Sequence, residues 1–369
     1  MSSTWTPTHA SFGLGIALQD TGWHPGSWFT LPGSTEIFTA DYWSQLSLTA
    51  ESGGMDFVTF SDPLGLHRKR PSDGSSTAVK LAAVTERIGL IPTLSTAQAD
   101  PAHLSENLAS LDRGSHGRAG WLVEVDPHDA AQTAESEATV AAVRSRWSTA
   151  TAQQNLPVMY QGTSEAVMKA AATSADALFT EVVTRRDAAA LLARIRETEQ
   201  LFMRRRPALR VYADLMIVVE EDSGSAQRRW ETLENAGGAD WRPAGEVLVG
   251  DPATAADALA AYQQLGFAGV RLRPAEHLRD VQSISELLIP ELRRRGIFLP
   301  LASAATAVPL DRGLRLSAIV GESLQASSPI PERTPQQHLR HPVDLPGGAR
   351  PGTQERARGE ARVPASAGI

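Results

Sequence analysis

A closed (β/α)8 barrel of the TIM type is the architecture that this 369-residue chain predicts. Three observations carry that expectation. Between about Phe12 and Arg295, eight short apolar runs alternate with longer stretches of helical period. The runs are rich in Val, Ile, Leu and Phe, as parallel strands buried on both faces are. Alternation alone leaves an open, doubly wound sheet standing, but the glycine fingerprint of a dinucleotide-binding sheet is missing. Gly13-Leu14-Gly15 falls inside the first run and lacks both the third glycine and the helix that should follow.

Taken in order, the expected strands are Phe12 to Leu18, Asp56 to Ser61, Ile88 to Thr93, Gly117 to Val125, Leu156 to Tyr160, Asp176 to Glu181, Leu209 to Val219 and Ala268 to Leu272. Helical spacing marks Tyr42 to Glu51, Thr77 to Thr85, Pro101 to Asp112, a stretch through Val140, Val143 and Trp147, Ser164 to Thr173, Asp187 to Arg204, Ala226 to Ala236, and Ala253 to Leu265. Pro101 and Pro252 stand where helices begin, a position that needs no backbone N–H. Prolines recur after Phe298. The organisation expected is a flexible segment 1–11, the barrel over 12–300, an extension over 301–325 with a short helix near Leu314 to Leu324, and a disordered tail over 326–369 rich in Pro, Gly and Arg.

Composition excludes several function classes. A net charge of -7 lacks the basic field of a nucleic-acid binder. No run approaches the roughly 20 apolar residues needed to span a bilayer, and residues 1–11 do not read as a secretory leader. With Cys 0, disulfides, thiolate nucleophiles and cysteine metal sites are ruled out. A cytoplasmic protein is the resulting expectation, with no metal, no nucleic acid and no membrane among its partners.

The run Leu111-Asp112-Arg113-Gly114-Ser115-His116-Gly117-Arg118-Ala119-Gly120-Trp121 resembles the "TLDxLSxGRxGW" signature of the luciferase-like flavin monooxygenases, in the branch that includes nitrilotriacetate monooxygenase. Further segments are similar to that family in the right order. They are Gly22-Trp23-His24-Pro25, Met55 to Asp62, Thr85 to Leu90 with Thr93 to Thr96, Pro157 to Ser164, Ala175 to Phe179, Val249 to Pro252 and Pro290 to Phe298. The resemblance implies a bacterial luciferase-like barrel holding reduced FMN at its carboxyl end, where oxygen adds to the flavin and is passed to a small organic substrate. A separate flavin reductase would supply the cofactor, and a homo-oligomer is expected.

Read on their own chemistry, the matched residues each allow two roles. Asp62 follows the second strand and serves either a flavin edge or a turn before Pro63. Ser95 and Thr96 end the third strand, where hydroxyls can meet flavin or simply close a turn. His103 sits in a helical first turn and suits capping as well as chemistry. Gly162, Thr163 and Ser164 form the best phosphate candidate, because they lie between a strand and a helix start; the same residues also make an ordinary N-cap. Gln161 is a candidate for the ring system. His67-Arg68-Lys69-Arg70 can draw an anion or be a solvated loop, and Arg204-Arg205-Arg206 and Arg293-Arg294-Arg295 are expected to complement helix ends.

The match also fails in places. Leu122 stands where the family usually has Asn, and the long family insertion with a His and a Tyr is missing between Val125 and Leu156, leaving His128 as the one nearby His. Two further readings therefore stay open: a non-catalytic flavin-binding or partner subunit, and a deazaflavin-dependent dehydrogenase on the same barrel. No general acid or base is assigned.

Overall fold

The computed structural model describes residues 12–30, 39–61, 74–97, 99–149, 156–238 and 241–298. All belong to the first of two compact units, Met1–Val320. The second unit, the expected C-terminal helix and tail, the N-terminal segment, Asp62 and the basic loop His67 to Arg70 lie outside the described residues.

Eight parallel strands close into a barrel. They are β1 (Gly13–Leu18), β2 (Phe57–Phe60), β3 (Gly89–Ser95), β4 (Trp121–Glu124), β5 (Val158–Gln161), β6 (Ala177–Glu181), β7 (Arg210–Val219) and, after one more strand, β9 (Gly269–Pro274). Neighbours pair in chain order from β1 to β7, and β9 bridges β7 and β1, with Gly269 opposite both Tyr212 and Gly13. The unanticipated strand is β8 (Val247–Gly250), which pairs with the last four residues of β7 beyond the point where β6 stops. Its residues are alternately half-buried and buried, so it lacks the continuous apolar burial that marks the barrel strands.

The helices follow the expected alternation: α1 (Ser27–Thr30), α2 (Ala40–Gly53), α3 (Gly74–Val84), α4 (Pro101–Gly114), α5 (Ala130–Thr149), α6 (Glu165–Ser174), α7 (Arg185–Leu201), α8 (Ser223–Gly237), α9 (Pro252–Leu265), α10 (His277–Ser283) and, past a π-helical turn at Ile284–Leu288, α11 (Ile289–Arg294). Their starts are capped by side chains of Thr39, Asp100, Ser164, Thr184, Asp222 and Asp251, and Pro101 and Pro252 occupy the first helical turn. Among the described residues, no helix is long and apolar enough to cross a membrane.

One arginine of each basic cluster serves the end of a neighbouring helix, while Arg294 and Arg295 pair with Glu291 on their own helix. α7 ends at Leu201, two residues before Met203 turns to φ 47, and Arg204 donates to the terminal carbonyls of Ala171, Ala172 and Ala175 at the end of α6. Arg293 likewise donates to Gly53 O at the end of α2. Cations are favoured there because the helix dipole is negative at that end.

The structure gives the Gly-Arg-x-Gly-Trp run a physical reason. Arg118 is 2% exposed and spends its guanidinium on Ser115 O, Ala82 O, Thr85 O, Ile88 O and Thr85 Oγ1. Beside it, the Glu51 carboxylate accepts from the amides of Glu86, Arg87 and Ile88. Together they satisfy the backbone groups of the tight passage from α3 into β3. We predict that Arg118→Leu, which orphans several buried carbonyls at once, costs on the order of 3 kcal/mol or more in denaturant unfolding. A loss below about 1 kcal/mol would show that the staple is dispensable.

Candidate active site at the carboxyl end of the barrel

Side chains at every second strand position point into the barrel. The lower interior is apolar, built by Phe57, Ile91, Leu122, Met159, Ala177, Phe179 and Tyr212. Leu122, in the place of the family's Asn, is thus a packing residue of this layer. Gly15 makes the layer possible, since a Cβ there would lie 2.1 Å from the Phe57 ring.

Above that layer the interior turns ionic. Arg271 is held at both ends of its guanidinium by Asp214, at 2.7 and 2.5 Å, and also donates to Thr59 Oγ1 at 3.2 Å and Gln161 Oε1 at 2.6 Å. The guanidinium lies 4.0 Å from the centroid of the Phe179 ring. Arg273 donates to Asp214 at 2.6 Å and to Glu181 at 2.6 Å, and covers the Trp23 ring at 4.3 Å. Burial alone would push the Asp214 carboxyl up, but the two guanidiniums hold it below the usual carboxylate range. Glu181 is the open end of this chain of charges, with 31% of its side chain exposed.

The rim of the mouth is polar. Following the two-residue period from Ile91, Leu122, Met159 and Phe179, the last inward positions of β3 to β6 are Thr93, Ser95, Glu124, Gln161 and Glu181, all half-buried or exposed. Ser95 and Glu124 are register partners across β3 and β4.

The sequence candidates fall into three groups. Gln161, Gly162, Thr163 and Ser164 come together where β5 turns into α6. Gly162 holds φ 134, a conformation that favours glycine, and its amide donates to Phe179 O. Ser164 Oγ accepts from Val167 N at 3.4 Å as the N-cap. Within the described residues, the amides of Thr163, Ser164, Glu165 and Ala166 and the Thr163 hydroxyl find no partner, and these residues are half-buried or exposed. Such a turn offers donors to an anion. Because Arg271 occupies Gln161 Oε1, the Gln161 amide is fixed with its NH2 as the remaining group.

Thr96 belongs elsewhere. It is buried with its hydroxyl 2.6 Å from Ser136 Oγ on α5, and Ser136 in turn donates to Gln132 O. Its one proton is therefore spent on fastening the end of β3 to α5, whereas the neighbouring Ser95 is exposed and accepts from Ala97 N. His103 is exposed and pairs with Asn107, and His128 is exposed with its amide bonded to Asp126. Neither joins the mouth cluster. The charged floor was missed from sequence, although Val270-Arg271-Leu272-Arg273 carried its signal: two arginines at strand period in a buried strand require buried partners.

The loop after β1 roofs one side of this floor. Trp23 Nε1 donates to Ala17 O, and the Trp23 and His24 amides bond Pro274 O and Ala275 O at the end of β9. His24 is buried between Trp230 and Trp241, with Nδ1 accepting from Gly26 N. His277 accepts from Gln19 N below the same loop. Burial pushes the His24 ring down to about 4 and the His277 ring down to about 3. Both stay neutral in the fold while the unfolded chain protonates near 6.5, so stability falls as pH drops from about 6.5 toward those values. We expect the Cε1–H resonances of both rings to stay at their neutral positions between about pH 8 and 5. A titration midpoint above about 6 for either would contradict the buried arrangement.

Residues 22–123 match the family model described as Luciferase-like monooxygenase. N-acetyl-S-(2-succino)cysteine monooxygenase of Bacillus subtilis (strain 168) is 37% identical over 117 residues, 30% of this chain and 26% of the relative. Nitrilotriacetate monooxygenase component A of Aminobacter aminovorans is 31% identical over 130 residues, 30% of this chain and 28% of the relative. The chain thus aligns with little more than a quarter of the length of these two relatives. The fold match is wider: a riboflavin lyase with modified FMN and riboflavin superposes with TM-score 0.69 at 16% identity, covering 79% of this chain and 93% of that one. EDTA monooxygenase from Chelativorans sp. BNC1 gives TM-score 0.65 at 16% identity, covering 79% and 95%. Residues 22–123 are thus similar to the luciferase-like monooxygenases, and the barrel has the fold of the solved structures it superposes on.

Proposed function

We propose that this protein is a flavin-dependent monooxygenase, taking reduced FMN from a separate reductase and delivering oxygen to a small organic substrate. The observation that carries the reading is the turn after Gly162, where the Thr163 to Ala166 amides and the Thr163 hydroxyl find no partner among the described residues and stand at the barrel mouth, directly after the strand that ends at Gln161. A dianionic phosphate suits that donor set and the positive end of α6. Reduced flavin, when bound, supplies the oxygen-activating chemistry.

The chain's own residues would do the rest. Gly162 shapes the turn, the free amides of Thr163 and Ser164 with the Thr163 hydroxyl bind the phosphate, and Gln161 offers its NH2 to an acceptor on the ring. Arg271 and Asp214 keep that amide in one orientation, which is preorganisation rather than direct chemistry. Trp23 and the loop around it help to keep water from the mouth. Asp62, which follows β2 in sequence and lies outside the described residues, is a further proposed flavin contact, while Thr96 enters only by fastening the end of β3.

One observation favours the reading as a non-catalytic flavin-binding or partner subunit. The upper barrel is filled by the chain's own Arg271, Asp214 and Arg273, and the segment from Val125 to α5 carries no inserted lid. Anaerobic titration with reduced FMN and reduced riboflavin, followed by turnover with oxygen, separates the two. We predict that FMN binds more tightly than riboflavin, and that Thr163→Val weakens FMN by about tenfold, equivalent to one hydrogen bond to a charged group, without changing riboflavin. Equal binding of the two flavins would remove the phosphate from this turn. Binding without substrate oxygenation would select the non-catalytic reading.

A further inference from the structure

Beneath the charged floor, the amino-terminal half of the barrel holds a second, partly open space. Its inner walls are Phe57, Ile91, Met159, Ala177, Phe179 and Tyr212, and its outer rim carries Asp56, Arg118 and Arg210. It leaves about 30 Å³ for the centres of water-sized molecules, roughly twice what a single water requires. The space exists because small residues face large ones. Gly13 and Gly120 contribute no side chain, while the Phe57, Phe179 and Tyr212 rings lock together at centroid distances of 5.6 to 5.8 Å.

The polar rim is partly spent, and the Arg210 guanidinium lies over the Tyr212 ring at 5.4 Å. Arg118 is committed to the backbone staple, and one Asp56 oxygen accepts from Leu14 N at 2.8 Å. Burial pushes the Asp56 carboxyl up to about 7, which reduces its charge near neutrality. Further in, the walls offer only the Tyr212 hydroxyl as a polar group, short of the two to four partners that hold a buried water. Apolar cavities of this kind stay dry and accept small apolar molecules. The upper wall is the Phe179 ring, which also carries the Arg271 guanidinium, so one layer of side chains separates this space from the floor of the mouth.

We infer that the cavity is a binding site for a small apolar molecule, and that in the working enzyme this molecule is dioxygen, held one side-chain layer below the flavin site. The choice of dioxygen rests on the flavin reading; the apolar site does not. Dioxygen is apolar and must reach the flavin while the mouth is closed to water.

The test is a crystal of the full chain pressurised with xenon, together with oxygen kinetics of Ala177→Val and Gly120→Ala. Both variants add methyl groups to the wall. Gly120→Ala is the gentler one, because its Cβ would meet side-chain atoms of Ile91, Met159 and Pro157 at 3.1 to 3.4 Å. Expected is a xenon peak bounded by Phe57, Ile91, Met159 and Phe179 in the parent protein and weakened in the variants. The KM for oxygen should rise several-fold while FMN affinity is unchanged. No xenon in the parent overturns the site. Xenon with an unchanged KM for oxygen in both variants overturns dioxygen as its occupant. Xenon in a protein that binds no flavin keeps the apolar site and removes dioxygen, which separates failure of this inference from failure of the flavin reading.

Discussion

Two arginines on one buried strand set the terms for the rest of the barrel. Arg271 and Arg273 sit on β9 with almost no exposure, and the cost of stripping water from two guanidiniums is offset only if most of their donors find acceptors; Arg273 Nε is buried without one among the described residues. Asp214 answers both from the neighbouring strand β7, and Glu181, Gln161 and Thr59 supply the remaining acceptors. These partners come from four different strands. Their side chains meet only if the barrel closes in the observed register, so the ionic layer specifies closure as well as filling the interior.

That layer also divides the barrel into two chemical halves. Below it, aromatic and aliphatic side chains pack against glycines that leave room for rings. Above it, polar residues reach solvent and the β5–α6 turn exposes its amides. The division puts the open polar groups at the carboxyl ends of the strands, where side chains from different strands can converge, and gives the amino-terminal half an apolar interior. Gln161 links the two regions: its carbonyl belongs to the buried network and its amide to the open mouth.

Much of this was legible in the sequence. The eight barrel strands were visible because each is a short apolar run buried on both faces, and Pro101 and Pro252 announced their helix starts. Gly162 to Ser164 were picked out correctly as a turn between strand and helix, since glycine followed by two hydroxyl residues has few other uses there. Two things were hidden. β8 is only half-buried, without the continuous apolar burial of the barrel strands, and the ionic floor joins residues 212 positions apart in the case of Thr59 and Arg271. Thr96 misled for a related reason. A hydroxyl at a strand end looks alike whether it turns toward the mouth or, as here, toward Ser136 on α5.

The most direct test of this account is a crystal structure of the protein with reduced FMN, grown without oxygen. The account predicts phosphate density against the Thr163 to Ala166 amides, the flavin ring beside the Gln161 NH2, and Arg271 still clasped by Asp214. Flavin bound elsewhere, or an Arg271 displaced from Asp214 to make room for the ring, would contradict it.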